Sequence, residues 1–459
     1  MTAPRESAPP PPAAPESAGR RTLGLSDAVA LAVGSIIGAS IFSILGYGAE
    51  LAGAGLPIAL ALSGIWASLV AGSYAALASH VVSDAGALAF VFRAFGDGIV
   101  TGAASMLKWF TYVVSLALFA RSFGGYFVPL VGWTPSPTLQ ARVAVALLGA
   151  FTVLGVLGSR AVSRVERLVV AVKLAILFLF VAAGLPHVQP ARLVPDLSPS
   201  GTLSILRASA LFFLSYMGFG LLTNAGEEMR DPKRTIPRAI FLSLGIVMLV
   251  YVGVGVVAVG NLPIQELVAA QDYALARAAE PAFGRFGYLL VSVGALISIT
   301  SALNATLFGG ANLAFALAHR GHLPEVFERR TWFGAPEGLF LTAGLAAVLA
   351  VAFPIGAIAG IIAAVGILEY LGVLLSHWRL RGEVGGNRAF LAFAIAVVAA
   401  VWVVLEQQQW AQERTAFSTT WVAIAASLVL ETLWRRRGGR RIALRLPPHS
   451  HRVRPNSGG

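Results

Sequence analysis

From Leu23 onward the chain is a succession of apolar runs, each about 20 residues long, the length at which a helix crosses the hydrocarbon core of a bilayer. There are about twelve, centred near Ile37, Ala67, Thr111, Leu148, Ala175, Phe213, Met248, Ser298, Ala347, Ala364, Val398 and Ala425. Inside hydrocarbon every amide and carbonyl must find a partner within the protein, so runs of this length predict helices and exclude open sheets. Composition agrees, because 57% of the 459 residues are hydrophobic and only 12% are charged. The expected fold is an all-α, multi-pass membrane protein.

An even number of spans returns the chain to its starting side, and the arginines say which side that is. Arg160, Arg164 and Arg167 lie between spans four and five, and Arg230, Lys233, Arg234 and Arg238 follow span six. Arg320, Arg329 and Arg330 follow span eight, and Arg379, Arg381 and Arg388 follow span ten. Cation-rich short loops are cytoplasmic, which places both termini in the cytoplasm and the protein in the cytoplasmic membrane. The opposite loops are poorer, Asn261 to Arg285 offering only Arg277 and Arg285. Topology and anionic headgroups thus account for the net charge of +12, and no nucleic-acid partner is expected. Residues 1–21, rich in Pro and Ala, read as a disordered cytoplasmic tail rather than a signal peptide. Residues 22–434 read as the transmembrane domain and 435–459 as an Arg-rich cytoplasmic tail.

Gly34-Ser35-Ile36-Ile37-Gly38-Ala39-Ser40-Ile41-Phe42 interrupts the first span from within. A helix broken at membrane depth must line a cavity or be covered by protein, and the half that restarts near Ser40 would aim bare N–H groups and a positive dipole end into that cavity. Close helix packing on small residues is the competing reading. About 180 residues later Phe212-Phe213-Leu214-Ser215-Tyr216-Met217-Gly218-Phe219-Gly220 interrupts the sixth span, which runs the opposite way. Two five-helix halves of inverted topology follow, about 22–190 and 200–380, each opening with a broken helix, with helices 11 and 12 appended. Secondary transporters are built this way, with substrate held between the breaks at the midplane.

Only Lys108, Lys173 and Lys233 are lysines among 34 Lys and Arg residues, and the first two fall inside spans three and five. A buried lysine can release its proton, whereas arginine cannot, so both are candidate coupling groups. Snorkelling to an interface is the alternative, weaker for Lys173 than for Lys108. Tyr112 shares a helical face with Lys108. Glu369 is the one carboxylate read as lying within a span, suited either to gating or to an ion pair with Lys108 or Arg121. Ser298, Thr300, Ser301 and Asn304 supply oxygens on span eight for an ion or ammonium group, or bonds to their own helix. The chain has no cysteine, and no paired carboxylates, HExxH, phosphate loop or activated nucleophile is evident. No enzyme, cofactor or metal site is predicted.

Ser215-Tyr216-Met217-Gly218-Phe219, followed by Glu227-Glu228-Met229-Arg230-Asp231-Pro232-Lys233-Arg234-Thr235-Ile236-Pro237-Arg238-Ala239-Ile240, resembles the amino acid–polyamine–organocation superfamily. Gly34 to Phe42, Tyr112 to Arg121 with Gly124 and Tyr126, and Leu317 to Pro324 match as well, closest to the cationic amino acid transporter branch and its bacterial proton-coupled relatives. The resemblance implies the leucine-transporter fold, with the backbone at Ile36, Ala39 and Ser40, beside Gly38, receiving a substrate carboxylate. It implies that the Leu214, Ser215 and Met217 carbonyls receive the ammonium, that Phe219 forms an outer gate, and that Lys173 stands where sodium-coupled relatives hold sodium. Ser40 replaces a second glycine, Gly220 replaces the acid of the basic-substrate branch, and Asn312 replaces an arginine usual in the loop after span eight. The function expected is a secondary transporter of amino acids, proton-linked or an exchanger. The alternatives are a permease for another small solute, such as a polyamine, or a non-transporting sensor.

Overall fold

The computed structural model describes residues 23–81, 83, 86–157, 162–226, 229–319, 323, 325–327, 329 and 337–438. Both expected tails lie essentially outside these residues, as do Arg160, Glu227, Glu228, Arg320, Gly321, His322, Pro324 and Arg330 of the quoted motifs.

Among the described residues, 11 helices are long and apolar enough to cross a membrane. They are spans 1 (Leu25–Ser43), 2 (Leu45–His80), 3 (Ile99–Leu130), 4 (Pro137–Val156), 5 (Leu168–His187), 6 (Pro199–Thr223), 7 (Pro232–Asn261), 8 (Glu280–His319), 10 (Ile355–Val384), 11 (Arg388–Gln412) and 12 (Arg414–Arg436). Span 9 is the shorter apolar helix Glu337–Ala352. Every predicted centre falls inside one of these helices. Their ends follow local chemistry. Ser198 Oγ accepts the Gly201 N–H at 3.1 Å ahead of Pro199 to start span 6, and Asn387 Oδ1 accepts the Ala389 and Phe390 N–H groups at 2.8 and 3.2 Å to start span 11. Large apolar side chains face outward along the flanks, Leu249 at 76% and Phe178 at 70% exposure, as a lipid-facing surface requires.

The helices pack in a register of five. The start of span 1 touches the end of span 6, span 2 lies along span 7, span 3 along span 8 and span 4 along span 9. Such contacts join equivalent members of two five-helix units. At one end of the bundle the helix Ala87–Phe95 is tied to span 10 by Arg93 and Glu383 (2.6 Å), and Arg230 N–H bonds the Leu23 carbonyl at 3.2 Å. At the other end a hairpin of two short helices, Ile264–Ala270 and Ala274–Ala278, closes over the Leu45–Ala52 start of span 2, and its connecting turn Gln271–Tyr273 reaches spans 1 and 3. Its Gln271 backbone presses on Gly46 and its Asp272 on Gly125. Asp272 is only 8% exposed, and burial pushes its carboxyl up to about 6 against the opposing pull of Arg121 and a hydrogen bond from Gln140.

Three expectations are corrected. Asn312 lies inside span 8, not in the loop after it, because that helix runs on to His319. The helix of span 12 continues to Gly438, so Arg435 is not tail; it pairs with Glu431 one turn back (2.7 Å) and with Asp97. Glu369 is not alone, since Glu406 in span 11 and Glu431 in span 12 are also buried carboxylates, 6% and 2% exposed. The run Glu406-Gln407-Gln408-Gln409 resembles the polar end of a span, yet its helix goes on to Gln412.

Candidate functional site

Span 1 leaves the helix after Ile36. Ile37 takes φ −76°, ψ 75°, the Gly38 N–H turns back onto the Ile36 carbonyl at 2.8 Å, and the helix restarts at Ser40. Among the described residues no backbone carbonyl receives the N–H of Ala39, Ser40, Ile41 or Phe42, the set a new helix leaves unbonded. Span 6 breaks in the matching place. A 3-10 turn over Phe213–Tyr216 gives way to extended Met217, Gly218 takes φ 134°, and Leu221–Asn224 resumes the helix. The Leu214 carbonyl accepts the Met217 N–H at 3.2 Å, and the Ser215 hydroxyl is buried without a hydrogen-bond partner.

The two breaks meet backbone to backbone. A Cβ on Gly218 would lie 2.6 Å from the Ser35 carbonyl oxygen and 3.0 Å from Ile36 Cα, and its positive φ independently demands glycine. Gly38 is the opposite case, because nothing lies within 4 Å of where its Cβ would be. It borders open space on its Cβ side.

A residue absent from the sequence prediction joins them. Tyr251 of span 7 is fully buried, and its hydroxyl lies 3.3 Å from the Ile36 carbonyl and 3.3 Å from that of Ser215, beside Ser40. One proton thus faces two carbonyls, one on each broken helix. Tyr126 of span 3 holds the restarted half by donating to the Phe42 carbonyl at 2.7 Å, and Ser298 of span 8 reaches the Gly38 carbonyl at 3.4 Å. Mid-span tyrosines, of only nine in the chain, carry the same rarity signal that singles out the lysines.

Phe219 is buried in an aromatic cluster, its ring centroid 5.2 Å from Tyr74 and 5.4 Å from Tyr370, and Tyr74 in turn meets Phe90 at 5.9 Å. Phe90 belongs to Ala87–Phe95, so the cluster ties Phe219 to that end of the bundle. A Cβ on Gly220 would lie 3.1 Å from the Tyr74 ring, so the tyrosine occupies the room that an acid at this position needs. The Met217 side chain packs on the bare backbone of Gly366 in span 10.

Lys173 lies midway along the helix Val162–Gly184, 6% exposed, and its ammonium donates to the Gly34 carbonyl at 2.7 Å. That carbonyl belongs to the last turn before the first break, the negative end of a half-helix. Ser301 is half-buried one turn beyond Ser298. Lys108 does not reach this centre. Its ammonium bonds Glu369 at 2.9 Å, Thr111 donates to the other carboxylate oxygen at 2.7 Å, and the Tyr112 ring centroid is 6.0 Å away. Glu369 therefore pairs with Lys108, whereas Arg121 faces Asp272 and bonds the Pro137 carbonyl at 2.8 Å. Tyr112 packs against Gly309 and Gly310 of span 8.

A family model described as "Amino acid permease" matches residues 23–430. The chain belongs to this family. As an amino acid permease it sits within the amino acid–polyamine–organocation superfamily, and it is a membrane transporter rather than an enzyme. An uncharacterized protein of Methanocaldococcus jannaschii is 48% identical to this permease over 91% of its chain and 96% of the relative. An inner membrane transport protein of Escherichia coli is 30% identical over 91% and 97%. A methylthioribose transporter of Bacillus subtilis is 29% identical over 67% and 69%. The first two matches run over 91% of this chain, so the likeness takes in most of the helical region.

Proposed function

We propose that this permease moves neutral amino acids across the cytoplasmic membrane by alternating access, with both termini cytoplasmic and with transport linked to protons through Lys173. The observations that carry the reading are the open space beside Gly38, the unbonded amides of the restarted helix, and the orphan Ser215 hydroxyl of the second break, on two broken helices that meet at Gly218 and Ser35. Amides at a helix start suit a carboxylate and carbonyls suit an ammonium, so main chain alone can hold both ends of an amino acid. Substrate charge is decided by what surrounds them. Lys108 is neutralised by Glu369 and Gly220 carries no acid, so neither a cationic nor an anionic side chain finds a partner. Lys173 links proton and site because its ammonium clamps the carbonyl end of the first half-helix, and losing the proton releases that clamp.

The test is uptake of labelled amino acids into sodium-free proteoliposomes under an imposed pH gradient. Accumulation of a neutral amino acid that collapses with a protonophore supports the reading. Accumulation driven only by sodium overturns the coupling, and strong competition by arginine overturns the substrate class. The methylthioribose relative favours a second reading, a permease for another small polar solute. It would be recognised by counterflow of that solute with none for any amino acid.

A further inference from the structure

Glu406 and Gln409 of span 11 and Thr420 of span 12 are buried polar side chains that the transport site does not use, on helices that pack together with span 10. Glu406 and Gln409 lie three residues apart on one face of span 11. Trp421 of span 12 donates its indole N–H to Glu406 Oε2 at 2.8 Å, and Gln409 Nε2 donates to the Gly360 carbonyl of span 10 at 3.0 Å. All three are more than nine-tenths buried, at 6%, 4% and 0% exposure. Yet Glu406 Oε1, Gln409 Oε1 and Thr420 Oγ1 have no hydrogen-bond partner.

Two of these three orphans accept only, and one carries formal charge. Spans 2, 6, 10 and 12 pack on span 11, and among the described residues no charged or titratable side chain from them acts on Glu406; the Trp421 indole is its polar neighbour. A buried carboxylate without a counter-charge is strongly unfavourable, and an orphaned amide oxygen adds to that cost. One proton removes both penalties. On Glu406 Oε1 it cancels the charge and supplies an O–H donor on the same helix face as Gln409 Oε1. It also needs no added volume, in a place where the Gln409 side chain already packs on Gly360.

We propose that Glu406 and Gln409 form an intramembrane proton-binding site, distinct from the broken-helix site, whose neutral acid bolts spans 11 and 12 to span 10. Span 10 carries Glu369 and Tyr370, so the bolt holds the scaffold behind the aromatic cluster. Trp402 reinforces it, donating to the Ala364 carbonyl at 3.0 Å and meeting Trp421 at 5.7 Å.

The experiment is infrared difference spectroscopy of the full-length protein in lipid nanodiscs at neutral pH, wild type against Glu406→Gln, with melting temperatures in sodium and in choline chloride at equal ionic strength. A carboxylic-acid carbonyl band present in the wild type and lost in Glu406→Gln is the expected result. The glutamine amide can replace the acid as donor, so this variant melts close to the wild type. Gln409→Leu removes the acceptor and shifts the same band, which keeps the test open if Glu406→Gln fails to fold. Absence of the acid band overturns the proposal. So does a sodium-dependent rise in melting temperature that Glu406→Gln abolishes, which would mean that a metal cation occupies the site.

Discussion

The Lys173 ammonium sits 2.7 Å from the Gly34 carbonyl, so a side chain of span 5 caps the carbonyl end of the first broken half-helix. Removing its charge should act on coupling before it acts on folding. Lys173→Ala is expected to bind substrate but to lose pH-driven accumulation at least about tenfold, a difference of about 1.4 kcal/mol. Lys173→Arg should be as poor, because a guanidinium neither fits a contact made by a compact ammonium nor gives up its proton. Uptake assays across pH check both. Normal pH dependence in Lys173→Arg would make this contact purely structural.

The two glycines of the breaks should respond oppositely to one methyl group. Gly218→Ala forces a Cβ onto the Ser35 carbonyl at a positive φ, so it is expected to lower the melting temperature and abolish uptake together. Gly38→Ala points its methyl into open space, so the protein should fold normally and lose affinity for substrate. Thermal melts alongside uptake separate the cases, and a Gly38→Ala protein with unchanged affinity would remove that space from the binding site.

Tyr251→Phe deletes the hydroxyl shared by the Ile36 and Ser215 carbonyls. Two buried carbonyls then lose a donor, at a cost of about 1–3 kcal/mol. A lower melting temperature that substrate restores more fully than in the wild type is the expected result, since the substrate ammonium can replace the lost proton. Calorimetry with and without ligand measures it.

Asp272 gives the hairpin of Ile264–Ala270 and Ala274–Ala278 a pH dependence of defined sign. Its carboxyl is raised from 3.8 to about 6 in the folded protein, so the folded state holds its proton more tightly than the opened one. Docking is therefore strongest below about pH 4, weakens as pH rises to about 6, by at most about 3 kcal/mol, and is level above that. Hydrogen exchange in Ile264–Ala270 and Ala274–Ala278 should speed up between those limits, and Asp272→Asn should flatten the response. Exchange that slows with rising pH, after correction for the intrinsic rate, would contradict this.

What was readable in advance divides along a physical line. Spans and breaks are local, since an apolar run of fixed length or a cluster of Gly and Ser announces itself whatever lies elsewhere, and all predicted centres and both interruptions sit where the residues put them. Contacts made across the bundle were harder. Lys108 and Glu369 stood out as charges, but only assembly decided between Lys108 and Arg121 as partner. Tyr251 carries no local mark of its role, because that role comes from two carbonyls, 215 and 36 residues away in sequence. Glu406 lies within two turns of its helix end, so nothing local to it marks a buried carboxylate.

The meeting of Gly218 with Ser35 has a mechanical consequence. Main chain pressed on main chain contains no rotamers, so it has no slack with which to absorb displacement. A tilt of one broken helix at this point therefore displaces the backbone of the other, and neither break can be repositioned alone.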